Sequence, residues 1–121
     1  MALALTSIKP VNTTTSIGNS PVTVYTCPAN TYATMQYITV TNITTALTVN
    51  VTVQMWRVPS GGSAGTTNLI LPGYIIQAND PTLTLYYNSK IQFNPGDFLV
   101  VEASVAASLN FGAIVNEFQA L

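Results

Sequence analysis

The alternation of apolar and polar positions is clearest in residues 47–58, LTVNVTVQMWRV. From Leu47 to Met55 every odd-numbered position is apolar, and every position between them is Thr, Asn or Gln. Successive side chains of a strand point to opposite faces, so this period of two predicts a long β-strand with one buried face. The many β-branched side chains agree with a strand. We expect Val51 to lie in the core and Thr52 to point the other way.

Further strand-like segments follow one another with turn signals between them. The predicted strands cover residues 21–26, 34–41, 47–58, 69–77 (two edge-like pieces broken at Pro72-Gly73), 82–88, 91–93, 98–105 and 109–118. The short connection after residue 41 predicts that the second and third of these strands form an antiparallel hairpin. Because no segment shows a helical period, the pattern predicts an all-β protein, an antiparallel β-sandwich or jelly roll of about eight strands.

The first 21 residues differ from the rest because they lack sustained periodicity. At 121 residues the chain is long enough for one domain. We assign residues 22–121 to the sandwich and residues 1–21 to an N-terminal arm, which either frames its own sheet or reaches a neighbouring subunit. Leu3, Leu5 and Ile8 have no sequential neighbours that would complete a core. We therefore expect the arm to dock on another chain, with these three residues at the interface.

The chain carries very little charge. Charged residues make up 6% of it, against about 25% in an average soluble domain, and the net charge is -1. With three Lys and Arg residues in total, binding to nucleic acid or to an anionic membrane is not expected. No apolar run approaches the length that spans a bilayer. A neutral surface of Thr, Ser and Asn is weakly solubilising, so we expect a homo-oligomer, with a trimer as the expected state.

Residue types that support catalysis or metal binding are scarce. The chain has no His and a single Cys, Cys27, which removes the commonest general base and the usual zinc ligands. Cys27 fits a small core residue better than a nucleophile. Asp80 and Asp97 lie in turns, where they either bind calcium with loop carbonyls or, as is more common, stabilise the turn. We expect no enzymatic activity and no cofactor.

Glu102 is unusual because it interrupts the nearly continuous apolar segment of residues 98–105. A buried carboxylate without a partner is costly, so Glu102 needs either an exposed position or a cation. Arg57 and Lys90 are the candidate partners outside the arm. We favour the exposed position.

Four aromatic residues allow a second class of function. Two roles are open to Trp56, Tyr74, Tyr86 and Tyr87. They either form a stacking platform for a sugar, as in carbohydrate-binding sandwiches, or contribute to a subunit interface, where Trp and Tyr are enriched. Trp56 falls on the polar face of its strand, which predicts an exposed side chain. We favour the interface, with Trp56 and Tyr86 as its candidate residues.

Several segments resemble small bacteriophage virion proteins. Residues 24–44, VYTCPANTYATMQYITVTNIT, are similar to an opening strand, a Y-T-x-P-A turn, an alternating strand and an Asn-containing turn. Residues 91–104, IQFNPGDFLVVEAS, are similar to an L-x-x-G-D-x-L-x-V-x-A-S segment, and residues 110–118, NFGAIVNEF, resemble the closing strand. The resemblance covers roughly residues 22–118 and carries over no active-site residue.

The resemblance implies a structural protein located in the virion. The most specific role that the resemblance implies is that of a capsid decoration (cement) protein, which contacts the major capsid protein. A neck or tail accessory protein that contacts other virion subunits is the alternative. The expected mechanism is added buried contact between subunits of the shell.

Overall fold

The computed structural model describes residues 2–13, 16–44, 49–78 and 90–121, and the backbone of residues 82–85. Within these residues there are nine β-strands and one 3₁₀ turn at Thr66–Asn68, and there is no α-helix. The strands are β1 (Leu3–Asn12), β2 (Val22–Thr26), β3 (Tyr32–Asn42), β4 (Val51–Val58), β5 (Leu69–Ile76), β6 (Thr82–Leu85), β7 (Ile91–Phe93), β8 (Phe98–Ala103) and β9 (Leu109–Ala120).

The strands form two sheets, and every pairing between described strands is antiparallel. Sheet A has the order β1-β9-β3-β6, with β7 also paired to β3, and sheet B has the order β2-β8-β4-β5. Buried apolar side chains of both sheets form one core cluster. The prediction of an antiparallel β-sandwich is confirmed.

Strand β4 shows the predicted alternation. Val51, Val53 and Met55 are fully buried, and Thr52 lies half-buried on the opposite face. Val49 precedes the strand and is 43% exposed, so the described strand begins at Val51. Leu47 lies outside the described residues. The central part of the strand is therefore confirmed, whereas the predicted strand extended too far toward the N-terminus.

The predicted hairpin between β3 and β4 is wrong. Strand β3 pairs with β9, β6 and β7 in sheet A, whereas β4 pairs with β5 and β8 in sheet B. The chain therefore passes from sheet A to sheet B between β3 and β4. Asn42 stabilises this connection, because its Nδ2 donates to the carbonyls of Val49 at 2.8 Å and Ile76 at 3.2 Å. Strands that face each other across a core also bury one side each, so alternation alone does not distinguish them from paired neighbours.

A bulge in β3 changes which residues face the core. Gln36 pairs with Ile114 and Thr39 pairs with Gly112, so β3 contains one extra residue at this point. Tyr37 lies there with a φ of 53°. A bulge shifts the alternation by one residue. The core-facing residues of β3 are therefore odd-numbered before the bulge and even-numbered after it. Met35 and Ile38, which an uninterrupted alternation would place on opposite faces, are therefore both buried in the core.

Strand β5 is continuous where two pieces were expected. Gln54 pairs with Pro72 and Val53 with Tyr74, so Gly73 is an extra residue between them. Its φ of +128° is a conformation that side chains rarely adopt. The Pro-Gly pair thus forms a bulge within one strand, and β5 lies at the edge of sheet B as expected.

The predicted N-terminal arm is largely an edge strand of the protein's own sandwich. Strand β1 pairs with β9 along its length, from Leu3 with Ala120 to Asn12 with Gly112. Ile17, farther along the predicted arm, is buried and bridges to Leu109. The structure therefore differs from a division at residue 21, because β1 supplies hydrogen-bond partners that the backbone of β9 would otherwise lack.

Candidate functional site

A bulge in β1 decides which of its side chains point away from the core. Leu5 pairs with Phe118 and Ser7 with Glu117, so Thr6 is an extra residue in β1. The Thr6 hydroxyl donates to the backbone carbonyl of Glu117 at 3.2 Å. The odd-numbered residues of β1 therefore point outward before Thr6, and the even-numbered residues point outward after it.

The bulge places the three predicted interface residues of β1 on one face. In a regular strand Ile8 would point opposite to Leu3 and Leu5, because successive side chains alternate. After the extra residue at Thr6, all three point outward from sheet A. Their exposed fractions are 41% for Leu3, 51% for Leu5 and 65% for Ile8.

The apolar surface continues across the neighbouring strands. Phe118 of β9 pairs with Leu5 of β1 on one side and with Tyr32 of β3 on the other. Ile114 of β9 pairs with Pro10 of β1. Directly paired residues project from the same side of a sheet. We use the name outer patch for the following six residues: Leu3, Leu5, Ile8, Tyr32, Ile114 and Phe118.

The outer patch lies on a face without charge. The outward positions of β1, β3 and β9 are occupied by apolar residues, Gly, Thr, Asn and Gln, and none of them is Asp, Glu, Lys or Arg. At one end of this face is a cavity of about 390 Å³. It is lined by Leu3, Tyr32, Ala33, Thr34, Gln92, Phe93, Asn94 and Phe118.

Behind the outer patch, three side chains form an ionic cluster between the sheets. Glu117 is 7% exposed and faces the core side of sheet A. The Tyr25 hydroxyl donates to its Oε2 at 2.6 Å, and Lys9 Nζ lies 3.1 Å from the same oxygen. Lys9 Nζ also lies 5.9 Å from the centre of the Tyr25 ring. We call these three residues the latch, because they join β1 and β9 of sheet A to β2 of sheet B.

The environment of the latch favours neutral tyrosine and thiol groups. Burial, and after it the hydrogen bond to Glu117, raises the pKa of the Tyr25 hydroxyl above its ordinary value. Burial also raises the pKa of Cys27, whose Sγ donates to the Thr31 carbonyl at 3.2 Å. Cys27 is therefore placed as a core residue and not as an activated nucleophile.

Sequence reasoning missed the importance of Glu117, although a signal was present. Alternate residues of β9 from Leu109 to Val115 are buried, and Glu117 continues the same series. The period of two therefore predicts an inward-facing carboxylate. Its polar partners come from distant parts of the chain, and no sequence pattern identified them.

Glu102 lies half-buried on the outer face of sheet B, where it pairs with Gln54. Neither candidate cation makes an ion pair with it in the described part of the chain. Arg57 instead donates from Nη1 to the Gln92 carbonyl at 2.7 Å, and Lys90 is exposed. Glu102 is therefore partly solvated, which falls short of the exposed position that the sequence favoured.

Asp97 stabilises turns. Its Oδ1 accepts from the Ser60 amide at 3.1 Å, and its Oδ2 accepts from the Asn94 amide at 2.9 Å. Asp80, the other calcium candidate, lies outside the described residues. Among the residues that are described, no group of three or more His, Cys, Asp or Glu side chains is arranged to hold a metal ion.

The structure does not bring the described aromatic candidates onto one platform. Trp56 pairs with Val100 on the outer face of sheet B and is half-buried. Tyr74 pairs with Val53, whose side chain is in the core, so Tyr74 projects from the core-facing side of sheet B, opposite to Trp56. Tyr86 and Tyr87 lie outside the described residues.

Within the described residues, no helical segment combines the length and apolar character needed to cross a membrane.

Comparison with known proteins leaves the chain without a family. No family model and no curated protein matches it. A solved structure from Bacillus endospore appendages, described as a novel family of disulfide-linked pili, is 15% identical over 98% of this chain and 88% of that chain, with a TM-score of 0.47. The VP2 subviral particle of infectious bursal disease virus is 10% identical over 99% of this chain and 40% of that chain, with a TM-score of 0.20. Likenesses this distant carry no conclusion about function.

Proposed function

We propose that this chain is a non-enzymatic structural subunit of a bacteriophage particle, where it decorates the head and stabilises it by subunit contacts. The observation that carries the structural role is the outer patch, on a face that has no charged side chain. The assignment to a virion is supported by the resemblance of residues 22–118 to small virion proteins. It is the more specific part of the proposal.

The orientation of β1 supports an assembly role. An exposed sheet face normally presents polar side chains to water and apolar ones to the core. Strand β1 does the reverse over much of its length, since Leu5 and Ile8 point outward while Ser7 and Lys9 point inward. Contiguous exposed apolar surface is typical of sites where proteins bind each other.

The outer patch would act by burial and not by specific chemistry. Removing apolar surface from water contributes about 25 cal/mol per Å². Decorating subunits that bury this surface against one another across a junction between capsid proteins raise the free energy needed to separate those proteins. The same physics serves a neck or tail accessory protein, which remains the alternative location in the particle.

The location can be tested by labelling particles. Antibodies against the purified chain, coupled to gold, would be applied to phage particles from cells that carry its gene. Regularly spaced label on heads is the expected result, and a cryo-EM map of the same particles should show the sandwich at junctions between capsid proteins. Label confined to necks or tails would move the proposal to its alternative.

A glycan array with the isolated chain provides the opposing test. Unlabelled particles together with specific glycan binding would overturn the structural proposal in favour of a carbohydrate-binding module. We expect no such binding, because Trp56 and Tyr74 project from opposite faces of sheet B. Stacking on a sugar needs aromatic rings that present a common surface.

A further inference from the structure

We infer that the outer patch binds the outer patch of a second copy of this chain, with sheet A packed on sheet A about a two-fold axis. The inference rests on the proposed function, since it names the partner of the same surface. It implies an even number of copies, in place of the trimer first expected.

The absence of charge makes this face compatible with a copy of itself. In a two-fold interface the same surface meets itself, so a charged residue near the axis would oppose an identical charge. The outward positions of β1, β3 and β9 carry no charge of either sign. A highly charged partner would leave its own charges unpaired against apolar side chains, which is costly.

The area of the face is sufficient for a stable pair. Strand β1 has 10 residues, which span about 34 Å, and three strands at about 4.8 Å spacing are about 14 Å wide. The flat projection is therefore roughly 490 Å² per copy, or about 1,000 Å² for the pair, which reaches the lower limit for a specific interface. Protruding side chains and the neighbouring β7 add to this area.

The edge of β1 is less suited to pairing with another copy. The Thr13 amide donates to the Phe111 carbonyl at 3.1 Å, and in an antiparallel pair the residues bonded in this way alternate along the strand. Pro10 therefore falls at a position that faces the free edge, where it offers no N–H. Proline at such a position hinders extension of the sheet by another strand. Packing through the face is favoured over joining edge to edge.

Sedimentation of matched variants tests the interface. Ile8→Lys puts a charge into the outer patch, and Ile75→Lys puts the same charge on the outer face of sheet B. The two isoleucines are 65% and 56% exposed, so neither substitution empties the core. We expect the unmodified chain and Ile75→Lys to form pairs with similar dissociation constants. Ile8→Lys should weaken pairing at least about a hundredfold, because it buries one unpaired charge from each copy in an apolar interface.

Cross-linking tests the two-fold geometry independently. Asn116 pairs with Ile8 on one side and Thr34 on the other, which places it within the outer face. The native Cys27 is buried, so Asn116→Cys introduces the accessible thiol. Oxidation should link Asn116→Cys into dimers much faster than the control Gln54→Cys, whose side chain lies on the outer face of sheet B. Circular dichroism of each variant establishes that it retains the fold.

The possible outcomes separate this inference from the proposed function. A chain that stays monomeric at high concentration overturns the pairing, and so does equal weakening by Ile8→Lys and Ile75→Lys. If the monomeric chain still labels phage heads and Ile8→Lys abolishes that label, the outer patch binds the shell and the proposed function stands. Paired chains that never label a particle would support the pairing and overturn the virion role.

Discussion

Removing one hydroxyl tests whether the latch stabilises the sandwich. Tyr25→Phe keeps the ring, which packs edge-on against Phe93 with ring centres 5.4 Å apart, and deletes the O–H that donates to Glu117. Both Tyr25 and Glu117 are 7% exposed, so water replaces the lost hydrogen bond poorly. The substitution therefore isolates one buried hydrogen bond to a charged acceptor.

The size of the effect follows from the geometry. A hydrogen bond to a charged group contributes about 1.5–3 kcal/mol, so Tyr25→Phe should lower the free energy of unfolding by about 2 kcal/mol. The Lys9 side chain is 43% exposed, so water screens its ion pair with Glu117. Lys9→Met keeps most of the side-chain volume and should cost no more than about 1 kcal/mol. The buried hydrogen bond from Tyr25 should thus contribute more to stability than the partly exposed ion pair with Lys9.

Urea unfolding followed by circular dichroism measures these differences, with Trp56 fluorescence as a second signal. A double-mutant cycle of Tyr25→Phe with Glu117→Gln should give a coupling energy of at least about 1 kcal/mol, because the two side chains are in direct contact. Additive effects of the two substitutions, or a larger loss from Lys9→Met than from Tyr25→Phe, would refute this account of the latch.

Three further predictions use the same unfolding assays and one chemical probe. The raised pKa of Tyr25 means that its contribution to stability is complete below its ordinary pKa of 10.0 and is lost as the pH rises above it; alkaline urea titrations should show this loss, and Tyr25→Phe should make it smaller. Cys27 is 1% exposed, so a thiol reagent should react with it only in denaturant, and rapid reaction of the folded chain would contradict its burial. Val51→Asp should abolish folding because Val51 is fully buried, at a cost of at least several kcal/mol. Thr52→Asp should leave the chain folded, and a soluble native-like Val51→Asp protein would disprove the placement of β4.

Local elements were predictable where apolar positions alternate without interruption. Strand β7 has the predicted bounds, β2 begins one residue after its predicted start, and the buried side of β4 follows from its period of two. These features depend only on residues close in the sequence. The pairing of β3 with β9 was not predictable in the same way, because partners in a sandwich are chosen by packing across the whole chain.

Bulges explain where the side-chain faces of a strand could not be derived from simple alternation. Only the bulge at Gly73 had a sequence signal, since Pro-Gly is typical of an interrupted strand. Thr6 and Tyr37 are ordinary strand residues, and nothing in their side chains indicates an extra position. The apolar character of the outer patch residues in β1 could therefore be recognised in the sequence, whereas their common face could not.

The bulge at Thr6 connects the latch to the outer patch. Without the extra residue, Ile8 would point inward and Lys9 would point outward, because every later side chain of β1 would change faces. The buried Glu117 would then lose its cation, while Ile8 would be removed from water within the monomer. The observed register does the opposite: it pairs the buried carboxylate and leaves Ile8 exposed. A register that exposes isoleucine is unfavourable for an isolated monomer and becomes favourable when the outer patch is covered, so the stability of β1 and the assembly of the protein depend on the same bulge.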